Sequence, residues 1–280
     1  MPANFKTFSA FLMVGIVFYL ISCSDNNETG NAQDTADVIS ESIADSYFQD
    51  TDDFVRFTAE NVSPSKGGKV AADGRLVCAT ITWVVANDST VNGEITIDFG
   101  TGCTDPKGNV RKGKVIIAYT NGPAGNIGFK TVTTFVGYSI NGLALEGTRT
   151  VVRVTPVLDP ANIRHDITLV NGKITWPDAT FASRASSFSR EINVSTGVIT
   201  LEGAANGINR KGVDYTVEIT KALVYKVSCA IADGIYMPVE GTKVIVANSR
   251  TLTIDYGAGT CDKVVTLTVG NFTKEVTVNG

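Results

Sequence analysis

The stretch Ile95-Thr96-Ile97-Asp98-Phe99-Gly100-Thr101-Gly102-Cys103 sets the fold. Ile95, Ile97 and Phe99 alternate with Thr96 and Asp98, a period of two that marks a strand with one buried face. Two glycines then break the strand. The chain writes the same passage again as Thr253-Ile254-Asp255-Tyr256-Gly257-Ala258-Gly259-Thr260-Cys261. Each copy carries a second aspartate seven residues after the first, pairing Asp98 with Asp105 and Asp255 with Asp262, and each has one cysteine upstream, Cys78 or Cys229. The cysteine falls five residues after the first aspartate in one copy and six in the other. Within a strand that slip would reverse the side chain, so the cysteines are expected in the glycine-loosened turns, as repeated structural corners.

The alternation extends outward on both sides. Ile81, Trp83 and Val85 share one parity, as do Val213, Tyr215, Val217 and Ile219, then Leu252, Ile254 and Tyr256, then Val265, Leu267 and Val269. Asn92-Gly93, Asn121-Gly122, Asn141-Gly142, Asn171-Gly172 and Asn206-Gly207 read as hairpin turns, because both residues tolerate positive φ. These signals predict an all-β domain: an antiparallel hairpin meander forming a sandwich or a twisted, partly closed sheet. A single-layer sheet is the alternative, since Tyr138-Ser139-Ile140-Asn141-Gly142 followed by Glu146-Gly147-Thr148 is similar to MORN-like hairpin repeats. Phe181 to Arg190, Ser-rich and poorly alternating, reads as an edge strand or exposed ribbon.

With 280 residues, 43% of them hydrophobic, the chain is long enough to bury a sizeable core. Formal charge is −4 and no Lys/Arg run exceeds two residues, which argues against a nucleic-acid partner.

Residues 1–22 read as an export signal. Lys6 precedes an apolar run from Phe8 to Ile21 that is short for a membrane span. The run ends in Leu20-Ile21-Ser22-Cys23, which resembles the lipobox of bacterial lipoproteins. The resemblance implies cleavage before Cys23 and a lipid on that cysteine. Residues 23–60 read as an acidic tether: residues 24 to 60 hold ten Asp/Glu and one basic residue, Arg56. Ala36, Ile39, Ile43 and Tyr47 draw an apolar stripe and predict a short amphipathic helix that docks on the β domain, which is assigned to 61–280.

Of five cysteines, Cys23 is assigned to lipid, leaving four in an oxidising setting. A first hairpin turning between Asn87 and Asn92 brings Cys78 near Cys103, so the preferred pairing is Cys78–Cys103 with Cys229–Cys261. The second pair is offset by several positions about a turn at Asn248, which calls for a bulge or an extra crossing. Zinc sites favour close C-x-x-C spacing, and none occurs here.

Chemistry-bearing patterns are sparse, and no catalytic residue or cofactor is predicted. His165 is the only histidine and reads as a surface residue on a strand. Asp98, Asp105, Asp255 and Asp262 are weak calcium candidates, with hydrogen bonds to turn amides the favoured use. Trp83 and Trp176 share parity with apolar neighbours and read as core or core-edge packing. Gly108-Asn109-Val110-Arg111-Lys112-Gly113 matches Gly207-Ile208-Asn209-Arg210-Lys211-Gly212, and both read as basic hairpin turns because strands follow them.

Taken together, the lipobox, the Asn-rich acidic stretch Ser24-Asp25-Asn26-Asn27-Glu28, the Asp-aromatic-Gly-x-Gly turns and the Asn-Gly hairpins resemble uncharacterised secreted lipoproteins of Bacteroidota-type bacteria. The resemblance implies a lipid-anchored outer-membrane or cell-surface protein, with a binding or structural role and a protein or glycan partner. It implies no catalytic residues. An envelope hydrolase acting on glycans and a calcium-stabilised adhesin module are the alternatives.

Overall fold

The computed structural model describes residues 32–61 (side chains from 45 to 59), 73–86, 92–154 and 161–278. Residues 1–31, with Cys23 and the stretch read as an export signal, lie outside them. Helix α1 (Ala32–Asn61) comes first, followed by a 3-10 turn over Gly74–Leu76. The strands then run β1 (Thr80–Val85), β2 (Gly93–Asp98), β3 (Cys103–Thr104), β4 (Val110–Thr120), β5 (Lys130–Ile140), β6 (Leu143–Arg153), β7 (Asn162–Thr175), β8 (Phe181–Asn193), β9 (Val198–Ile208) and β10 (Asp214–Lys226). After the short helix α2 (Val227–Asp233) come β11 (Glu240–Ala247), β12 (Arg250–Ala258), β13 (Val264–Val269) and β14 (Phe272–Thr277).

All fourteen strands belong to one antiparallel sheet, ordered as in the chain except that β3 only flanks β4. The meander expectation holds, in the form of one continuous sheet instead of two packed ones. It does not close, so β1 and β14 are its edges. The quoted stretch behaves as its alternation demands: Ile95, Ile97 and Phe99 are all buried, and Ile97 opposes Ile81 on one side and Val115 on the other.

The sheet bends around α1. Residues 50 to 55 of the helix are buried consecutively, and at about 100° per residue six such residues cover every face of a helix. A helix lying on a flat sheet would expose its outer side. Register shifts recur in the pairings of β4 with β5, β5 with β6, β6 with β7 and β7 with β8, and each such bulge adds local bend and twist. Two positions show why glycine is needed there. Gly113 has φ of 75°, and a Cβ on it would stand 2.2 Å from the Gly137 carbonyl oxygen. A Cβ on Gly172 would stand 2.6 Å from the Arg184 carbonyl oxygen.

That use of glycine corrects part of the hairpin reading. Asn141-Gly142 is a two-residue hairpin turn, with φ of 51° and 82°. Asn171-Gly172 and Asn206-Gly207 lie inside β7 and β9. At Asn171, with φ of 53°, the left-handed backbone makes a bulge within the strand instead of reversing the chain.

Helix α1 is longer than its sequence stripe suggested, and its second half is not a solvated tether. Phe48, Phe54, Val55 and Phe57 enter the main core. The Phe54 ring meets Phe99 edge-on at 6.0 Å and Phe48 meets Phe135 at 6.1 Å. Burying one such ring contributes about 2 kcal/mol. A second core, on the C-terminal half of the sheet, gathers Val217, Ile245, Ile254 and Val265 around Cys229 of α2.

Both expected disulfides form, with Cα separations of 5.6 Å for Cys78–Cys103 and 5.3 Å for Cys229–Cys261. Cys103 sits on β3 and is buried, while Cys261 lies in the loop after β12. The offset of the second pair is taken up by α2, which carries Cys229 away from the strand ladder. Trp83 packs on the main core and donates its indole N–H to the Tyr119 hydroxyl at 2.8 Å.

Candidate functional site

The interior between α1 and the sheet is polar as well as aromatic. Asp45, Asp50, Asp52 and Asp53 project from the helix. Along β4, Arg111 shares parity with the buried Val115 and Ile117, so the same pleat that buries the valine points the guanidinium inward. Arg149 and Arg153 do the same on β6, and Arg184 and Arg190 lie on the inward face of β8. All three strands thus turn arginines toward the helix.

Arg111 is 1% exposed. One of its amino groups donates to Asp50 Oδ2 at 2.8 Å, the other to Asp105 Oδ2. Arg149 forks onto Asp52, with Nη2 to Oδ2 at 2.6 Å and Nε to Oδ1 at 3.0 Å. Such two-pronged charge-assisted bonds combine strength with fixed geometry. Arg184 Nη2 reaches Asp45 Oδ1 at 2.5 Å, and Lys243 Nζ on β11 lies 3.6 Å from the other oxygen of that carboxylate. At the edge of the cluster Arg75 forks onto Asp73 and reaches Asp50 at 3.2 Å.

Arg190 is held differently. Its nearest carboxylate oxygen, on Asp53, is 3.9 Å away, beyond hydrogen-bond distance. Burial pushes the Asp53 carboxyl up to about 6, against the pull of Arg56 and Arg190. Burial likewise lowers the Arg190 guanidinium. Both directions are those of a pair too distant to offset its own desolvation.

Beside Arg190 lies His165, and its surface assignment is overturned. It is 8% exposed on β7, directly between Arg153 on β6 and Arg190 on β8 in the strand register. Burial, then the charges of Arg190, Arg56 and Arg153, push its imidazole down to about 3. The histidine is therefore neutral. These residues, with Asp52 and Thr131, line a cavity of about 30 Å³ between α1 and β5–β8.

The Ser-rich stretch from Phe181 to Arg190 is the other overturned reading. It forms β8, an interior strand paired with β7 and β9. Its inward residues are Ala182, Arg184, Ser186, Phe188 and Arg190. A hydrophobicity pattern misses a strand whose buried face carries arginines and a serine. The signal available in the sequence was complementary: arginines at apolar parity on strands, and a run of aspartates on a helix.

The repeated turns use their aspartates locally. Asp98 Oδ1 accepts from the Gly100 amide and Asp255 Oδ1 from the Gly257 amide, both at 2.8 Å. A hydrogen bond from Lys114, then the Gly100 amide, lowers the Asp98 carboxyl. Asp262 accepts from the Val264 amide at 3.0 Å. Asp105 accepts from the amides of Lys107 and Asn109 at 2.9 Å, in addition to Arg111. Among the described residues no three His, Cys, Asp or Glu side chains come close enough to share a metal ion. The matching basic motifs part company: Asn209 to Gly212 is a hairpin turn between β9 and β10, whereas Arg111 lies within β4 as a buried ion. Arg210 instead lies over the Trp176 ring at 4.7 Å and pairs with Asp178 at the surface.

Compared with protein-family models, with curated proteins and with solved structures, the chain gives no match.

Proposed function

We propose that this protein is a lipid-anchored lipoprotein of the bacterial outer membrane or cell surface, acting as a binding or structural module and not as an enzyme. The observation that carries the reading is the division of the cysteines: four of the five form two bridges, and the fifth, Cys23, ends the apolar run Phe8 to Ile21. Paired disulfides suit an oxidising compartment outside the cytoplasm. The arrangement of the acids supports the non-enzymatic part. Glycoside hydrolysis needs two carboxylates flanking an open substrate site. Asp50 and Asp52 instead point to nearly opposite faces of the helix, and each is engaged by its own arginine, Arg111 and Arg149. With residues 50 to 55 of α1 enclosed by the sheet, the outward strand faces and loops are the surfaces on which a protein or glycan partner would dock.

Replacing Cys23 in the full chain tests the anchor. The Cys23→Ala variant is expected in the soluble envelope fraction without fatty-acid label. A variant that still sediments with membranes and takes up label would refute the reading.

A further inference from the structure

We infer that the cavity between α1 and strands β5–β8 binds one small monovalent anion of chloride size, held by His165 Nδ1 and Arg190 Nε. Both residues line the cavity, and in both those buried nitrogens have no hydrogen-bond partner in the protein. A buried donor left unmet is costly, and more so when it is charged. His165 is more than nine-tenths buried, so bulk water does not satisfy it.

The nearby acids do not supply the missing acceptor. Asp52 is committed to Arg149 through both oxygens, and Asp53 stands 3.9 Å from Arg190. Arg56 and Arg153, which have partners of their own, complete a wall rich in guanidinium groups. Cation density in a low-dielectric site favours a counter-ion over neutral water. The register reinforces the point, because Arg153, His165 and Arg190 are successive cross-strand neighbours on the inward face. Size then selects the anion. A cavity of about 30 Å³ has room for one or two water-sized species, so a single halide fits. The inference is independent of the lipid anchor.

The test is thermal melting of the full chain in sodium chloride, sodium bromide and sodium gluconate at equal ionic strength. The halides are expected to raise Tm in a saturable, one-site manner, by roughly 3 °C or more at ten times the dissociation constant. Bromide-soaked crystals should show an anomalous peak within hydrogen-bond distance of His165 Nδ1 and Arg190 Nε. Arg190→Gln should abolish the halide dependence. Because that variant removes a buried cation and is at risk of not folding, the wild-type imidazole provides a second readout. The chain has one histidine, so a chloride titration followed by imidazole NMR reports on this site alone. Equal Tm in all three salts, no bromide in the cavity, or an imidazole signal indifferent to chloride would each overturn the inference.

Discussion

Gly108 to Gly113 and Gly207 to Gly212 share Gly, Asn, Arg, Lys and Gly in nearly the same order, yet their arginines end in opposite surroundings. Arg111 is buried between two carboxylates, whereas Arg210 lies in the open across an indole ring. The difference comes from position relative to α1. Arg111 falls on the inward parity of a strand that faces Asp50, while Arg210 falls at the tip of a hairpin, near Asp178. Local sequence fixed the basic residue, and its place on the bent sheet fixed its energy.

The sharpest way to break the comparison is to remove each arginine. Arg111→Ala leaves Asp50 and Asp105 without their inner partner and is expected to destabilise by roughly 3–5 kcal/mol, measured by denaturant unfolding. An effect below 1 kcal/mol would mean that water enters and takes over the role. Next in size are the bridges. Replacing Cys78 and Cys103 with alanine opens a link across a sequence separation of 25 and is expected to lower stability by about 3 kcal/mol. Non-reducing peptide mapping should return Cys78 with Cys103 and Cys229 with Cys261.

A third experiment contrasts the well-paired Arg111 with the loosely paired Arg190 through pH. The Asp53 carboxyl, raised to about 6, contributes stability that is full below its unfolded value near 4 and is lost as pH rises through 6. The His165 imidazole, lowered to about 3, contributes stability that is full above its unfolded value near 6.5 and is lost as pH falls toward 3. Between pH 4 and 6 the two slopes oppose each other. Asp53→Asn should therefore leave a stability that rises with pH across that window, and His165→Gln one that falls, each by an amount of order 2 kcal/mol. Identical pH profiles for the two variants would contradict the assignment. The smallest effect belongs to Arg210→Ala, expected to cost about 1 kcal/mol or less, since exposed ion pairs and cation–π contacts are worth little each.

Much of the fold was legible in the residues. Alternation at Ile95, Ile97 and Phe99, and again at Leu252 and Ile254, specified strands with one buried face, and those faces are buried. The Cys78–Cys103 pairing followed from the expected register of the first hairpin. The ionic interior was not legible in the same way. Ser186 and Arg190 look like surface residues until β8 is known to be an interior strand facing a helix of aspartates. Asn206-Gly207 has the composition of a turn and serves as strand, because Gly207 lets the neighbouring backbone at Ser183 approach.

The sequence by itself determined the strand content, the turn aspartates and the Cys78–Cys103 bridge, since each rests on spacing within or between adjacent hairpins. Only the tertiary structure decided that residues 50 to 55 of α1 are enclosed, that its aspartates meet arginines from β4, β6 and β8, and that His165 is buried. Those contacts join residues far apart in the chain, such as Asp52 and Arg149. Their energy depends on how the sheet bends, a property that no single strand carries.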